Sequence, residues 1–139
     1  IHGRVYDTSR EGKLKLVGYA LSERLQVFSE YHTAIISLSA EELDKFGYEK
    51  GDTEGLVNTA LSIEGVNFAA FIHESTDGIK ISFRSIGEFS VSDFSAKYFG
   101  GGGHHNAAGA ASLDSLEQVV SKIINLLPHY SSELDYPSP

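Results

Sequence analysis

The sequence contains no cysteine. That excludes a disulfide framework, a thiolate metal site and a cysteine nucleophile. It contains no long apolar run: nothing approaches the roughly 20 residues that a membrane helix needs, and no basic, apolar and small-residue series of the secretory type opens it. A cytoplasmic, membrane-free protein is the expectation. Basic residues are scarce as well. Eleven Lys and Arg stand against nineteen Asp and Glu, for a formal net charge of −8. Nonspecific binding of long nucleic acids works by neutralising many phosphates, so this balance points away from it. Any phosphate affinity should be local, made by a few residues in a pocket. Methionine is absent too, and the first residue is Ile1. A processed product, or a piece of something longer, is expected.

What remains is ordinary for a globular domain. The 139 residues are 41% hydrophobic and 22% charged, enough for one domain with a real core. The residues of 1–12 are mixed and polar, and read as the end of a connection from upstream. Leu14, Val17, Leu21, Leu25 and Phe28 fall at intervals of three and four, one face of a helix that ends near Leu25. The apolar, β-branched run 33–38 reads as a buried strand. Ser39 and Glu42 have the spacing of a capping box for a helix to about Phe46. Asp52 or Thr53 can cap a further helix through Leu56, Val57, Ala60 and Leu61, ending at Gly65.

Residues 66–72 read as a second buried strand. Thr76-Asp77-Gly78 is a hairpin-type turn. Ile79, Ile81 and Phe83 then alternate with Lys80, Ser82 and Arg84, so the first three face a core and the second three share the other face. Ser92 or Asp93 can start a short helix through Phe99. Asp114 and Glu117 have capping-box spacing before an amphipathic stripe of Leu116, Val119, Val120, Ile123, Ile124 and Leu127, which Pro128 ends. Residues 129–139 read as a frayed tail. Alternating strands and helices with one hairpin predict a mixed α+β or α/β domain, helices packed on a central sheet.

The chemistry concentrates in Gly100-Gly101-Gly102-Gly103-His104-His105-Asn106-Ala107-Ala108-Gly109. Four glycines free the backbone and uncover its N–H groups, which can converge into an anion-binding nest. His104 and Asn106 follow with side-chain donors, and small residues close the stretch. A flexible linker before a polar turn is the alternative. Paired histidines and the flanking amphipathic segments argue for the nest. Arg84, with Ser85 beside it, is the natural second element, because guanidinium binds phosphate bidentately. A solvated strand residue is the alternative for Arg84. His104 can donate to a phosphate oxygen or act as a general acid; His105 is expected to point away. The six histidines show no H-E-x-x-H and no i, i+4 pair, and the aspartates form no cluster for two divalent ions. No metal site is expected in this chain.

The run Gly101 to Gly109 matches the GGGHxxAAG motif at every fixed position, and so resembles the C-terminal, DHH-associated domain of the DHH phosphoesterase family. Ser82-Phe83-Arg84-Ser85 is similar to the strand ending in Arg-Ser that precedes that motif. Glu54-Gly55-Leu56-Val57-Asn58 is similar to a segment of the oligoribonuclease and 3′-phosphoadenosine 5′-phosphate phosphatase subgroup, also labelled exopolyphosphatase-related. The likeness covers about residues 14–127. It implies a substrate-binding domain over 13–128 that closes on an upstream catalytic domain. The upstream domain would hold two divalent ions, usually manganese. Arg84, Ser85, Gly101, Gly102, Gly103, His104, Asn106 and Ala107 would contact the phosphate or line the pocket, with His104 as an assisting proton donor. This chain alone, lacking the metal ligands, is expected to bind a short oligoribonucleotide or nucleotide and to hydrolyse nothing. An RNA-binding module of the kind that accompanies alanyl-tRNA synthetases, and a regulatory domain or homodimer, are the competing readings.

Overall fold

A computed structural model describes residues 2–49 and 51–135. Six strands form one mixed sheet: β1 (Gln26–Phe28), β2 (Thr33–Leu38), β3 (Phe68–Ser75), β4 (Gly78–Ser85), β5 (Gly102–His104) and β6 (Ala107–Ser112), in the order β1-β2-β3-β4-β6-β5. Only β2 and β3 run parallel. Their crossover carries α2 (Ala40–Lys45) and α3 (Leu56–Leu61). β3 and β4 join in the expected hairpin around Thr76 and Asp77, closed at the Ser75–Gly78 pair. Gly78 has a φ of 121° there, a conformation that a side chain would resist.

The two faces are covered differently. On one, Phe68, Ile81, Phe83 and Ala108 pack against α4 (Val91–Phe99) and α5 (Leu116–Leu126). Phe68, Phe83, Phe89 and Phe94 form the centre of that layer, with ring centroids 4.8–5.9 Å apart. On the other, Ala34, Ile36, Ala69 and Phe71 pack against α1 (His2–Tyr19), α2 and α3. That second layer covers β2 and β3. It thins at β4, which α3 reaches but whose residues on this face, Lys80, Ser82 and Arg84, stay exposed or half-buried.

Several local expectations are corrected. Residues 2–12 continue α1, which passes at Tyr19 into a π-helical turn, Ala20–Arg24. The inward face of that helix is Gly12, Leu16 and Ala20. Leu16 and Ala20 are fully buried while Leu14 is 73% exposed. The reason is close approach: a Cβ on Gly12 would lie 2.6 Å from the Phe46 carbonyl oxygen, so the helix docks on its small residues. The N-cap of α3 is Gly55 at φ 92°. Asp52 and Thr53 are instead buried, and Asp52 Oδ2 accepts from the Glu49 N–H at 2.8 Å. α4 is capped by Ser90, not Ser92 or Asp93. The box before α5 is shifted by one residue: Ser115 Oγ accepts from Gln118 N–H and Gln118 Oε1 accepts from Ser115 N–H. The expected Ser39–Glu42 box is present.

The tail is not frayed over 129–135. A 3₁₀ turn, Leu127–Tyr130, leads into the short helix α6 (Ser131–Leu134). Leu134 is fully buried, and its carbonyl accepts from Asn67 Nδ2 at 2.8 Å. An apolar anchor with a buried hydrogen bond outweighs the polar composition around it. Residues 136–139 lie outside the described residues.

Candidate functional site

The glycine motif is a β-hairpin, not an irregular loop. α4 ends at Gly100, left-handed at φ 67°. β5 then pairs antiparallel with β6, and His105-Asn106 forms the two-residue turn. α4 fixes this hairpin from behind. Ser95 Oγ donates to the Gly109 carbonyl at 2.8 Å, and Gly101 N–H donates to the Ser95 carbonyl at 3.1 Å. Val91 N–H donates to the His105 carbonyl at 2.8 Å.

The four motif glycines divide by face. A Cβ on Gly101 would sit 2.2 Å from the Gly109 oxygen and 2.5 Å from Ser95 Oγ. One on Gly103, at φ 153°, would sit 2.5 Å from the Ala107 oxygen. These two are glycine because α4 and β6 leave no room. Gly102 and Gly109 pair with each other and point to the opposite, uncovered face. A Cβ on Gly102 would meet nothing within 4 Å, and one on Gly109 only the Ile81 oxygen at 3.4 Å. Packing does not require glycine at either.

The same register places the polar side chains. His104 pairs with Ala107, Ala107 with Arg84, and Arg84 with Ala69. Paired residues project to the same face. His104 and Arg84 therefore share the uncovered face, with only the Ala107 methyl between them. Two strand spacings separate their backbones by about 10 Å, within joint reach of one tetrahedral anion for a long guanidinium and an imidazole. Arg84 Nη1 donates to the Phe83 carbonyl at 2.8 Å, and no carboxylate pairs with the guanidinium among the described residues. Next along the face lie Ser82, Gly109 and Gly102; after them come Lys80 and Ala111.

Ser85, Asn106 and His105 are engaged by protein partners at the hairpin turn. Ser85 is 3% exposed. Its hydroxyl donates to the Phe89 carbonyl at 2.7 Å and accepts from Asn106 Nδ2 at 2.9 Å. His105 Nε2 lies 3.0 Å from the Gly87 carbonyl. These three tie the hairpin turn to the loop before α4. Ser85 and Asn106 stand 21 residues apart in sequence, which gave no sign of that contact. Lys80 is the residue that site reasoning passed over, although the strict alternation of β4 already put it beside Arg84.

A groove of about 750 Å³ lies elsewhere, around β1 and β2 and lined in part by Tyr19, Arg24, Glu42 and Glu117. Within it the Tyr19 hydroxyl and Arg24 Nε both donate to Glu42 Oε2. Burial pushes the Glu42 carboxyl up, but the bonds from Tyr19, the Ser39 N–H and Arg24 outweigh it and hold the carboxyl below its usual range. On the uncovered face, Arg84 and Lys80 make no ion pair with any described residue. No three His, Asp or Glu side chains converge anywhere among the described residues to hold a metal ion.

The DHHA1 domain model matches residues 29–129. This chain belongs to the DHHA1 domain family. It is 32% identical over 100 residues to the bifunctional oligoribonuclease and PAP phosphatase NrnA of Bacillus subtilis (strain 168), a match spanning 70% of this chain and 31% of that protein. The crystal structure of an exopolyphosphatase-related protein from Bacteroides fragilis superposes with a TM-score of 0.86 at 44% identity, over 91% of this chain and 37% of that one. A pGpG-specific phosphodiesterase, PggH from Vibrio cholerae, shares the fold at a TM-score of 0.63 and 13% identity, over 91% of this chain and 41% of that one. The DHHA1 chain thus spans about a third of the length of the Bacillus subtilis and Bacteroides fragilis proteins. Among its described residues, no helix is long and apolar enough to cross a membrane.

Proposed function

We propose that this DHHA1 chain is the ligand-gripping part of a DHH-family phosphoesterase, holding a phosphate of a short oligoribonucleotide or nucleotide on its uncovered sheet face. The observation that carries the reading is the row His104–Ala107–Arg84 beside the bare Gly102–Gly109 pair. Two donors without acid partners flank a patch of backbone that nothing in the fold requires to be bare. Arg84 would grip phosphate oxygens with its planar fork. The His104 ring would add one N–H when neutral and two when protonated. The Ala107 methyl and the glycine backbone leave room for the ligand to lie flat against the sheet. The name of the Bacillus subtilis relative fits this ligand class.

Hydrolysis would come from an upstream domain of the parent protein, whose divalent ions, manganese by family resemblance, supply the attacking water. This chain's residues bind and orient. The isolated chain is therefore expected to show no manganese-dependent hydrolysis of a phosphorylated nucleotide.

The deciding experiment is a titration with 3′-phosphoadenosine 5′-phosphate and with a diribonucleotide, read by backbone amide NMR shifts. The expected result is shifts clustered on 102–109 and Arg84, with weaker binding in Arg84→Ala and His104→Ala. Shifts elsewhere, or equal affinity in both variants, would overturn the reading. A steep salt dependence together with a preference for long RNA would favour an RNA-binding module instead.

A further inference from the structure

We propose that Lys80 is a second anion subsite on the same face, one that makes the domain prefer a short oligoribonucleotide over a single nucleotide. The proposal rests on the ligand-gripping reading above and extends it from one phosphate to the length of the ligand.

Lys80 and Arg84 lie on one face of β4, four residues apart. A strand rises about 3.3 Å per residue, so they stand about 13 Å apart along the face. Between and beside them the floor is Ser82, Ala107, Gly109 and Ala111, all small. Gly102 adds a further bare position across β6. On the other flank, α3 packs against β3 and β4 and forms a wall. The result is a flat strip with a cation at each end. Lys80 is exposed and makes no hydrogen bond or ion pair with any described residue. Its cross-strand neighbours on this face are Ala111 and His73. Neither is an acid, and His73 titrates low, first from burial and then from the Lys80 charge itself. A protein with eight more acidic than basic charges nevertheless keeps an unpaired lysine in line with its unpaired arginine.

About 13 Å exceeds the span between neighbouring phosphates on a nucleotide backbone and corresponds to about two phosphodiester steps. The two phosphates of a nucleoside bisphosphate are closer together than that. With both side chains standing up from the sheet, the charged ends keep about that spacing, and a ligand that meets each with its own phosphate carries three phosphates in series, as in a 5′-phosphorylated triribonucleotide. A shorter ligand would reach Arg84 and His104 but leave Lys80 in water.

The test is a titration of the chain with 5′-phosphorylated mono-, di- and triribonucleotides of one base. Wild type is compared with Lys80→Gln, Lys80→Arg and Arg84→Ala. The expected result is a loss of about threefold to fivefold for the triribonucleotide in Lys80→Gln. The two shorter ligands are unchanged, and Lys80→Arg restores the affinity. The salt slope for the triribonucleotide falls by about 0.7 in Lys80→Gln, one fewer phosphate neutralised on a single strand. An equal loss at all three lengths, or none at any, overturns the Lys80 subsite while leaving the Arg84 site standing if Arg84→Ala still weakens every ligand. No binding of any of the three by the wild-type chain overturns both.

Discussion

At the scale of single residues, the four glycines of the hairpin separate into two jobs, and the separation can be measured. Gly101→Ala places a methyl 2.2 Å from the Gly109 oxygen. Overpacking of that kind costs about 1–3 kcal/mol, read as a lower urea midpoint. Gly102→Ala meets nothing and should change stability by less than about 0.5 kcal/mol. The same methyl projects onto the proposed ligand face, so it should weaken nucleotide binding while the fold is intact. A Gly102→Ala variant that binds as wild type would remove the bare patch from the site. His73 gives a pH signature. Burial, and then the nearby Lys80, hold its pKa below the usual value. Above about pH 6.5 the ring is neutral in both the folded and unfolded chain. Below that pH the unfolded chain takes up a proton that the fold resists, so stability falls as pH drops until the folded pKa is reached. Denaturant unfolding at pH 7.5 and 5.5 should show this loss, and His73→Leu should reduce it.

At the scale of elements, the site depends on a helix that contributes no ligand-facing side chain to it. α4 holds the hairpin through Ser95, which is fully buried and bonded to the Gly109 carbonyl. Ser95→Ala leaves that carbonyl without its side-chain donor, at a cost of about 1–3 kcal/mol. Amide exchange over 101–109 should speed up more than exchange in β2 and β3. The capping boxes are separable from this. Ser115→Ala removes the acceptor for the Gln118 N–H and should cost about 1 kcal/mol without changing exchange in the hairpin.

At the scale of the whole molecule, the sheet is asymmetric. One face is closed by α4, α5 and α6; the other is closed over β2 and β3, with α3 also reaching β4. The closed side includes the chain's far end, because Leu134 packs into the aromatic layer and Asn67 bonds to its carbonyl. Leu134→Ala should therefore destabilise the entire domain by about 2–5 kcal/mol, seen as a cooperative shift in thermal unfolding. A merely local loosening of 131–135 would contradict that assignment.

The strand alternation of Ile79 to Arg84, the stripe of α5 and the Ser39 box were legible in the sequence because each is a local pattern: period two, period 3.6, or two side chains three residues apart. The glycine motif was legible by type and by resemblance. Which of its glycines serve packing and which stay bare was not, since that depends on Ser95 arriving behind the hairpin from α4 and on the register of β5 against β6. The same holds for Gly12, Leu16 and Ala20 as the inward face of α1, set by the approach of Phe46, and for Leu134, an apolar residue in a polar tail. Ser85 was expected as a ligand contact because it follows Arg84, and Asn106 because it lies in the glycine motif. In the fold they bond to each other, because successive strand residues face opposite sides and a turn amide falls wherever the turn brings it. The sequence by itself determined the elements with a local period, the family likeness and the residue types of the site. Only the tertiary structure decided that His104 shares the face of Arg84 and Lys80, because strand order and register, not proximity along the chain, set which side chains from different strands stand side by side.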